Sequence, residues 1–183
     1  MKRILQIITL LLFSALYSHL YAQDSNRRVV ERDTIDNIVV TIIENSYNER
    51  FLYEVEVLGR DNIEKKYYKE IIKNEDLRQT IFEYASSKIT EDRIICILSD
   101  YVKDEDKDIF YSEGWGFISL TFKTDARLLK YHLNVRFSED TKYKRLFSTE
   151  DCAKIFKNIN SMLTPCKETD TIFWGTLRFK CNP

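Results

Sequence analysis

Histidine, glycine and proline are scarce in this chain of 183 residues, which has 2 His, 4 Gly and 2 Pro. His19 falls in an N-terminal segment read below as a leader, so a processed chain keeps His132 alone. That excludes sites built from two or more imidazoles, among them the HExxH zinc helix and the two-histidine facial triad. So few glycines leave little backbone able to take φ > 0, and GxGxxG, GxxxxGK[ST] and GxSxG are all missing. Dinucleotide, nucleotide and hydrolase-elbow readings lose their usual support, and the lack of CxxC does the same for a thioredoxin-type site. Neither sign of charge dominates: 28 basic residues stand against 29 acidic ones with no block of one sign. A nucleic-acid partner is therefore not expected. No metal or cofactor is expected either.

What is present begins with an address. Met1, Lys2 and Arg3 give a positive start, residues 4–16 are apolar but too short to span a bilayer comfortably, and Leu20-Tyr21-Ala22 ends on a small residue. Residues 1–22 read as a cleaved signal peptide, and Gln6, Ser14, Ser18 and His19 weaken the alternative of an uncleaved anchor. The segment resembles the export signals of Gram-negative anaerobes, in which Ala-Gln is a frequent junction. The resemblance implies a cut between Ala22 and Gln23 and a periplasmic or secreted protein with no membrane span after cleavage. Cleavage removes Lys2 and Arg3 and leaves 26 basic against 29 acidic residues, a balance of −3.

A composition of 44 % hydrophobic and 31 % charged residues is that of one ordinary globular domain, placed at residues 34–183 after a polar, mobile arm at 23–33. Residues 35–43 are rich in β-branched side chains, and Phe51, Tyr53, Val55 and Val57 alternate with Leu52, Glu54, Glu56 and Leu58, which predicts a hairpin. A third strand is expected over 63–72, although Ile63, Tyr67 and Ile71 also fit a helical spacing. Asn74, Glu75 and Asp76 look like a helix start, with Leu77, Ile81, Phe82, Ala85 and Ile89 on one face. The apolar run 94–98 predicts a buried central strand, followed by a charged loop at 104–108. Residues 115–123 and 129–138 read as a paired meander. Ser148 and Asp151 resemble a capping box ahead of Cys152, Ile155, Phe156, Ile159, Met162 and Leu163, the spacing of an amphipathic helix, and residues 172–181 alternate as a last strand. The fold class is α+β, a mainly antiparallel sheet with two helices packed on one face. The closing helix and strand loosely resemble the TonB C-terminal-type end of exported scaffold proteins.

Motifs with chemistry fail one by one. Histidine titrates in the range that suits a general base, but the neighbours of His132 on its face are Lys130, Asn134 and Arg136, with no carboxylate in sequence to orient the ring. Asp104-Glu105-Asp106-Lys107-Asp108 opens like a calcium loop, yet Ile109 stands where glycine is needed and Trp115 where the bidentate glutamate belongs. Glu54 and Glu56 share a strand face and suit the wet side of a strand better than a glycosidase pair.

One constellation remains. Trp115, Phe117 and Trp174 fall opposite the best apolar stripes, beside His132, Arg136 and Arg178, a mixture suited to a ligand surface. The leading expectation is an exported, non-enzymatic binding or scaffold domain that takes a protein or a carbohydrate on this face or on an edge strand. A small periplasmic hydrolase without a recognised motif and a structural module of an envelope assembly are the rivals. Four cysteines in an exported chain allow disulfides. If the helix that starts near Cys152 runs back along the last strand, Cys152 lies closest to Cys181, and that pair is expected to be bonded. Cys96 and Cys166 would be a second pair or free thiols, with Cys96 the more buried.

Overall fold

A computed structural model of the chain describes residues 26–46, 50–67, 83, 87–137, 144–165 and 172–181. Six antiparallel strands make one sheet: β1 (Arg27–Ile35), β2 (Ile38–Asn45), β3 (Arg50–Val57), β4 (Trp115–Lys123), β5 (Arg127–Arg136) and β6 (Ile172–Lys180), in the order β1-β2-β3-β5-β4-β6. The described helices are α1 (Arg60–Tyr67), α2 (Glu91–Ser99), α3 (Asp104–Glu113) and α4 (Thr149–Met162). The α+β class read from the sequence is the one observed. Among the described residues no helix is long and apolar enough to cross a membrane.

Of the mobile arm expected at residues 23–33, residues 27–33 instead belong to edge strand β1, paired with β2. The missed signal is the two-residue connection Asp36-Asn37, with φ of 49° and 65°. Asp and Asn tolerate the left-handed region because their short polar side chains bond locally, and two such residues in succession make the tight hairpin turn.

Register sorts the side chains cleanly. Ile42 lies opposite Tyr53, Tyr53 opposite Leu133, Leu133 opposite Ile118 and Ile118 opposite Leu177, so these share one face, and all but the half-buried Leu177 are buried. Helix α4 closes that face over β1, β2, β3 and β5, with Cys152, Ile155, Phe156 and Ile159 buried. Its start is the capping box expected from the sequence: Ser148 Oγ accepts from the Asp151 N–H at 3.1 Å, and Asp151 Oδ2 accepts from the Ser148 N–H at 3.0 Å. Each such bond satisfies a helix donor that would otherwise lack a partner, and a Ser cap contributes about 1 kcal/mol. Two buried hydroxyls tie the layers together. Tyr131 donates to the Cys152 carbonyl at 2.9 Å, and Tyr53 accepts from the Leu146 N–H at 2.9 Å and the Phe147 N–H at 3.4 Å.

Three other expectations change. Residues 60–67 form α1 in place of the third strand; Ile63 joins Leu129 and Ile172 in a separate apolar cluster. Ile172 pairs with Lys123 while its neighbour Phe173 pairs with Phe122 of the main core, so α1 reaches the opposite side of the sheet at that corner. Residues 94–98 are helical, within α2, because only Ile94 and Leu98 of the run are fully buried, at the i, i+4 spacing of one helix face. Residues 104–108 start α3. The helix expected from Asn74 to Ile89 lies almost wholly outside the described residues.

The expected Cys152–Cys181 disulfide is not formed: Cys96, Cys152 and Cys181 are free thiols, and Cys96 is exposed. The reason is which helix lies over which strand. Helix α4 crosses the β1 side of the sheet, whereas α2 packs against β6. Cys181 therefore ends beside Gly114, to whose carbonyl its N–H donates at 2.8 Å, and Cys152 sits at Tyr131. Burial pushes both thiols up to about 12. Cys166 lies outside the described residues.

Candidate functional site

The face of the sheet opposite α4 carries the six residues expected to form a ligand surface. Trp115 lies opposite Arg136 and Lys180, Phe117 opposite Asn134 and Arg178, Ser119 opposite His132 and Thr176, and Thr121 opposite Lys130 and Trp174. Side chains alternate along a strand, so these four steps are four rows on one face, about 7 Å apart. Trp115, Phe117, His132, Arg136, Trp174 and Arg178 share that face, but not one spot. Lys180 lies six residue steps along β6 from Trp174, which sets the two tryptophan rows roughly 20 Å apart.

The first row continues onto strands that sequence reasoning did not bring to the site. Arg27 faces Asn45, and Asn45 faces Arg50. Extending the Leu52–Asn134 register by two residues brings Arg50 beside Arg136. Arg136 lies over the Trp115 ring, 5.0 Å from its centroid, and its Nε donates to Asn134 Oδ1 at 3.0 Å. That stacking fixes a flexible guanidinium and leaves Trp115 42 % exposed. The second row is largely apolar, with Val29 opposite Ile43, Ile43 opposite Leu52, and then Asn134, Phe117 and Arg178. Where these rows meet β4 and β6 the surface dips into an open groove of about 620 Å³ lined by Glu91, Trp115, Phe117, Arg136, Arg178 and Lys180, among others. Glu91, in the first turn of α2, accepts the Lys180 N–H at 2.6 Å.

The third row holds the carboxylate that His132 lacks in sequence. Glu54 lies opposite His132, and its Oε1 is 3.4 Å from His132 Nδ1. That contact, against an opposing penalty from burial, holds the Glu54 carboxyl below the usual carboxylate range. Ser119 is on the other side of His132, so glutamate, histidine and serine stand in line across three strands. The line lacks what an acyl-transfer site needs. The Ser119 hydroxyl is bonded to that of Thr176 at 2.8 Å, and β4 is paired on both sides, so the backbone N–H groups around Ser119 are taken up by the sheet and form no oxyanion hole. Glu56 goes elsewhere, 3.1 Å from Arg60 Nε and 3.8 Å from Lys130 Nζ. The two glutamates weighed as a glycosidase pair thus have different nearest partners, His132 for Glu54 and Arg60 for Glu56.

The acidic stretch after Lys103 is equally accounted for. Asp104 pairs with Lys107 at 2.7 Å, and the buried Asp106 with Lys144. Among the described residues no group of three or more His, Cys, Asp or Glu side chains is placed to hold a metal ion.

No family model, curated protein or solved structure matches the chain.

Proposed function

We propose that this chain is an exported, non-enzymatic binding or scaffold domain that takes its ligand, a protein or a carbohydrate, on the open face of the sheet. The observation that carries the reading is that one face bears two large exposed rings, Trp115 and Trp174, together with Arg136, Arg178 and His132, while the other is filled by the core. Aromatic and Arg side chains dominate contact energetics, and a solvated antiparallel face is where they can be reached. The hydrolase reading is disfavoured by the tied Ser119 hydroxyl and the fully paired strand that carries it. A structural role in an envelope assembly uses the same face and differs only in the partner being permanent.

Acrylamide quenching tests the openness of the face without knowledge of a ligand, because Trp115 and Trp174 are the chain's two tryptophans. Each single Trp→Phe variant leaves one reporter. Strong quenching of both in the folded protein is the expected result. Shielding of both would show that the face is covered and would sink the proposal.

A further inference from the structure

We infer that the groove end of the open face binds an acidic, partly apolar polypeptide segment, its carboxylates over the first row and its apolar side chains over the second. The inference rests on the open-face reading and adds the chemistry of the partner. The first row presents Arg27, Arg50, Arg136 and Lys180 across the sheet, with Arg178 one row away and no acidic residue in the row itself. Among the described residues none of these five side chains has an ion-pair partner. The Nε of Arg50 is buried and has no hydrogen-bond partner there. Glu91, the acid on the groove wall, is held by the Lys180 N–H and offsets one of the five cations, which leaves the row and Arg178 with a positive excess. The other acids of this face, Glu54 and Glu56, lie two or three rows off and are paired.

Arg27 reaches Glu54 only through its longer-range field, and cations with no acid bonded to them among the described residues are informative in a chain of nearly balanced charge. Arg50 and Arg136 stand side by side on neighbouring strands, which costs stability, and with Arg27 and Lys180 in the same row the arrangement is explained most simply by an anionic occupant. Five interstrand steps make the row about 24 Å long, the reach of a segment and not of a single small anion. Two features favour a polypeptide over an anionic polysaccharide. The adjoining row offers Val29, Ile43, Leu52 and Phe117, with Val29 57 % exposed, which matches apolar side chains better than hydroxylated rings. One face of Trp115 is also occupied by Arg136 and is not open for a sugar to stack on.

The test is fluorescence anisotropy with the full mature chain and a fluorescein-labelled peptide of repeated Glu-Glu-Leu-Leu units. A Lys-Lys-Leu-Leu peptide and a labelled galacturonate oligomer serve as competitors. Saturable binding of the acidic peptide is expected, weakening steeply between about 0.1 M and about 1 M salt as the screening length contracts from about 10 Å to about 3 Å. Arg178→Glu and Lys180→Glu should each weaken it about tenfold at low salt, while Lys154→Glu on α4 should not. The proposal is overturned if the acidic peptide fails to bind, if the reversals leave its affinity unchanged, or if only the galacturonate oligomer binds. Failure of the peptide with both tryptophans still quenchable rejects this partner class alone; shielded tryptophans reject the open-face reading beneath it.

Discussion

Replacing Tyr53 by Phe isolates a single oxygen atom. Tyr53 is buried, its hydroxyl accepts the Leu146 and Phe147 backbone N–H groups at 2.9 and 3.4 Å, and its ring meets Phe147 edge-on with centroids 5.2 Å apart. The Phe variant keeps the ring, its packing and the aromatic contact, and removes only the acceptor. Two buried donors are then left without a partner, at about 1–3 kcal/mol each when no water replaces the oxygen, with the longer bond at the low end. The expected loss is about 2–4 kcal/mol. Tyr131→Phe supplies the internal comparison. There the lost hydroxyl is a donor, and the Cys152 carbonyl it leaves behind is an acceptor in the first turn of α4, so the expected loss is about 1 kcal/mol. Urea unfolding of both variants, with the slope checked for constancy, measures the difference directly. At about 2–4 °C per kcal/mol for a domain of this size, Tyr53→Phe should lower Tm by roughly 4–16 °C. A loss under about 0.5 kcal/mol for Tyr53→Phe, or one equal to that of Tyr131→Phe, would refute the claim that this oxygen anchors the segment entering α4.

Three shorter predictions follow from other contacts. Of Cys96, Cys152 and Cys181, only the exposed Cys96 should react with iodoacetamide at pH 8 in the folded protein, since burial holds the other two thiols near 12; peptide mass spectrometry reads this, and a Cys152–Cys181 linkage would contradict it. The Arg145 guanidinium, which bonds Glu31, holds that carboxyl below its ordinary 4.5, so the contact stabilises the fold above that pH and the contribution is lost as pH falls through the lower folded value. Glu31→Gln should therefore flatten the decline of Tm on the acid side of 4.5, and an unchanged decline would show that the pair contributes nothing there. Intact-mass analysis of the exported protein should give a chain beginning at Gln23; a mass that retains residues 1–22 would reject the signal peptide.

The parts of the fold legible in the sequence are those where local chemistry and tertiary packing agree. Strict alternation gave β4, β5 and β6 because one face of each is buried and the other wet, and the Ser148–Asp151 box gave α4 because both partners are within one turn. Helix α2 was misread because five consecutive apolar residues hide the period; Thr90, whose Oγ1 accepts the Arg93 N–H at 3.4 Å, with Glu91 and Asp92 behind it, was the signal that outweighs them. Asp104, Glu105 and Asp106 mark the start of α3 in the same way, since acids in a first turn oppose the helix dipole. The shared face of Trp115, Arg136 and Arg178 was readable from alternation alone. The contributions of Arg27, Arg50 and Glu54 were not, because they depend on β5 pairing with β3 ahead of β4, a choice made between distant segments and recorded in no local pattern.

The way this sheet stops at its two margins decides how another chain can approach it. An antiparallel sheet with straight, unguarded margins invites a stranger to add a strand, and repetition of that step makes a fibre. Strand β1 carries Arg27, Arg28, Glu31, Arg32 and Asp33 among its nine residues and breaks register between Val29 and Glu31, so a copy of itself meets charge and a bend. On β6 the Glu91 carboxylate occupies the Lys180 N–H, ending the ladder beside the groove. Lateral growth is obstructed along β1 and at the Lys180 end of β6. Where the margins are closed in this way, the pleated face is the approach left to a second chain.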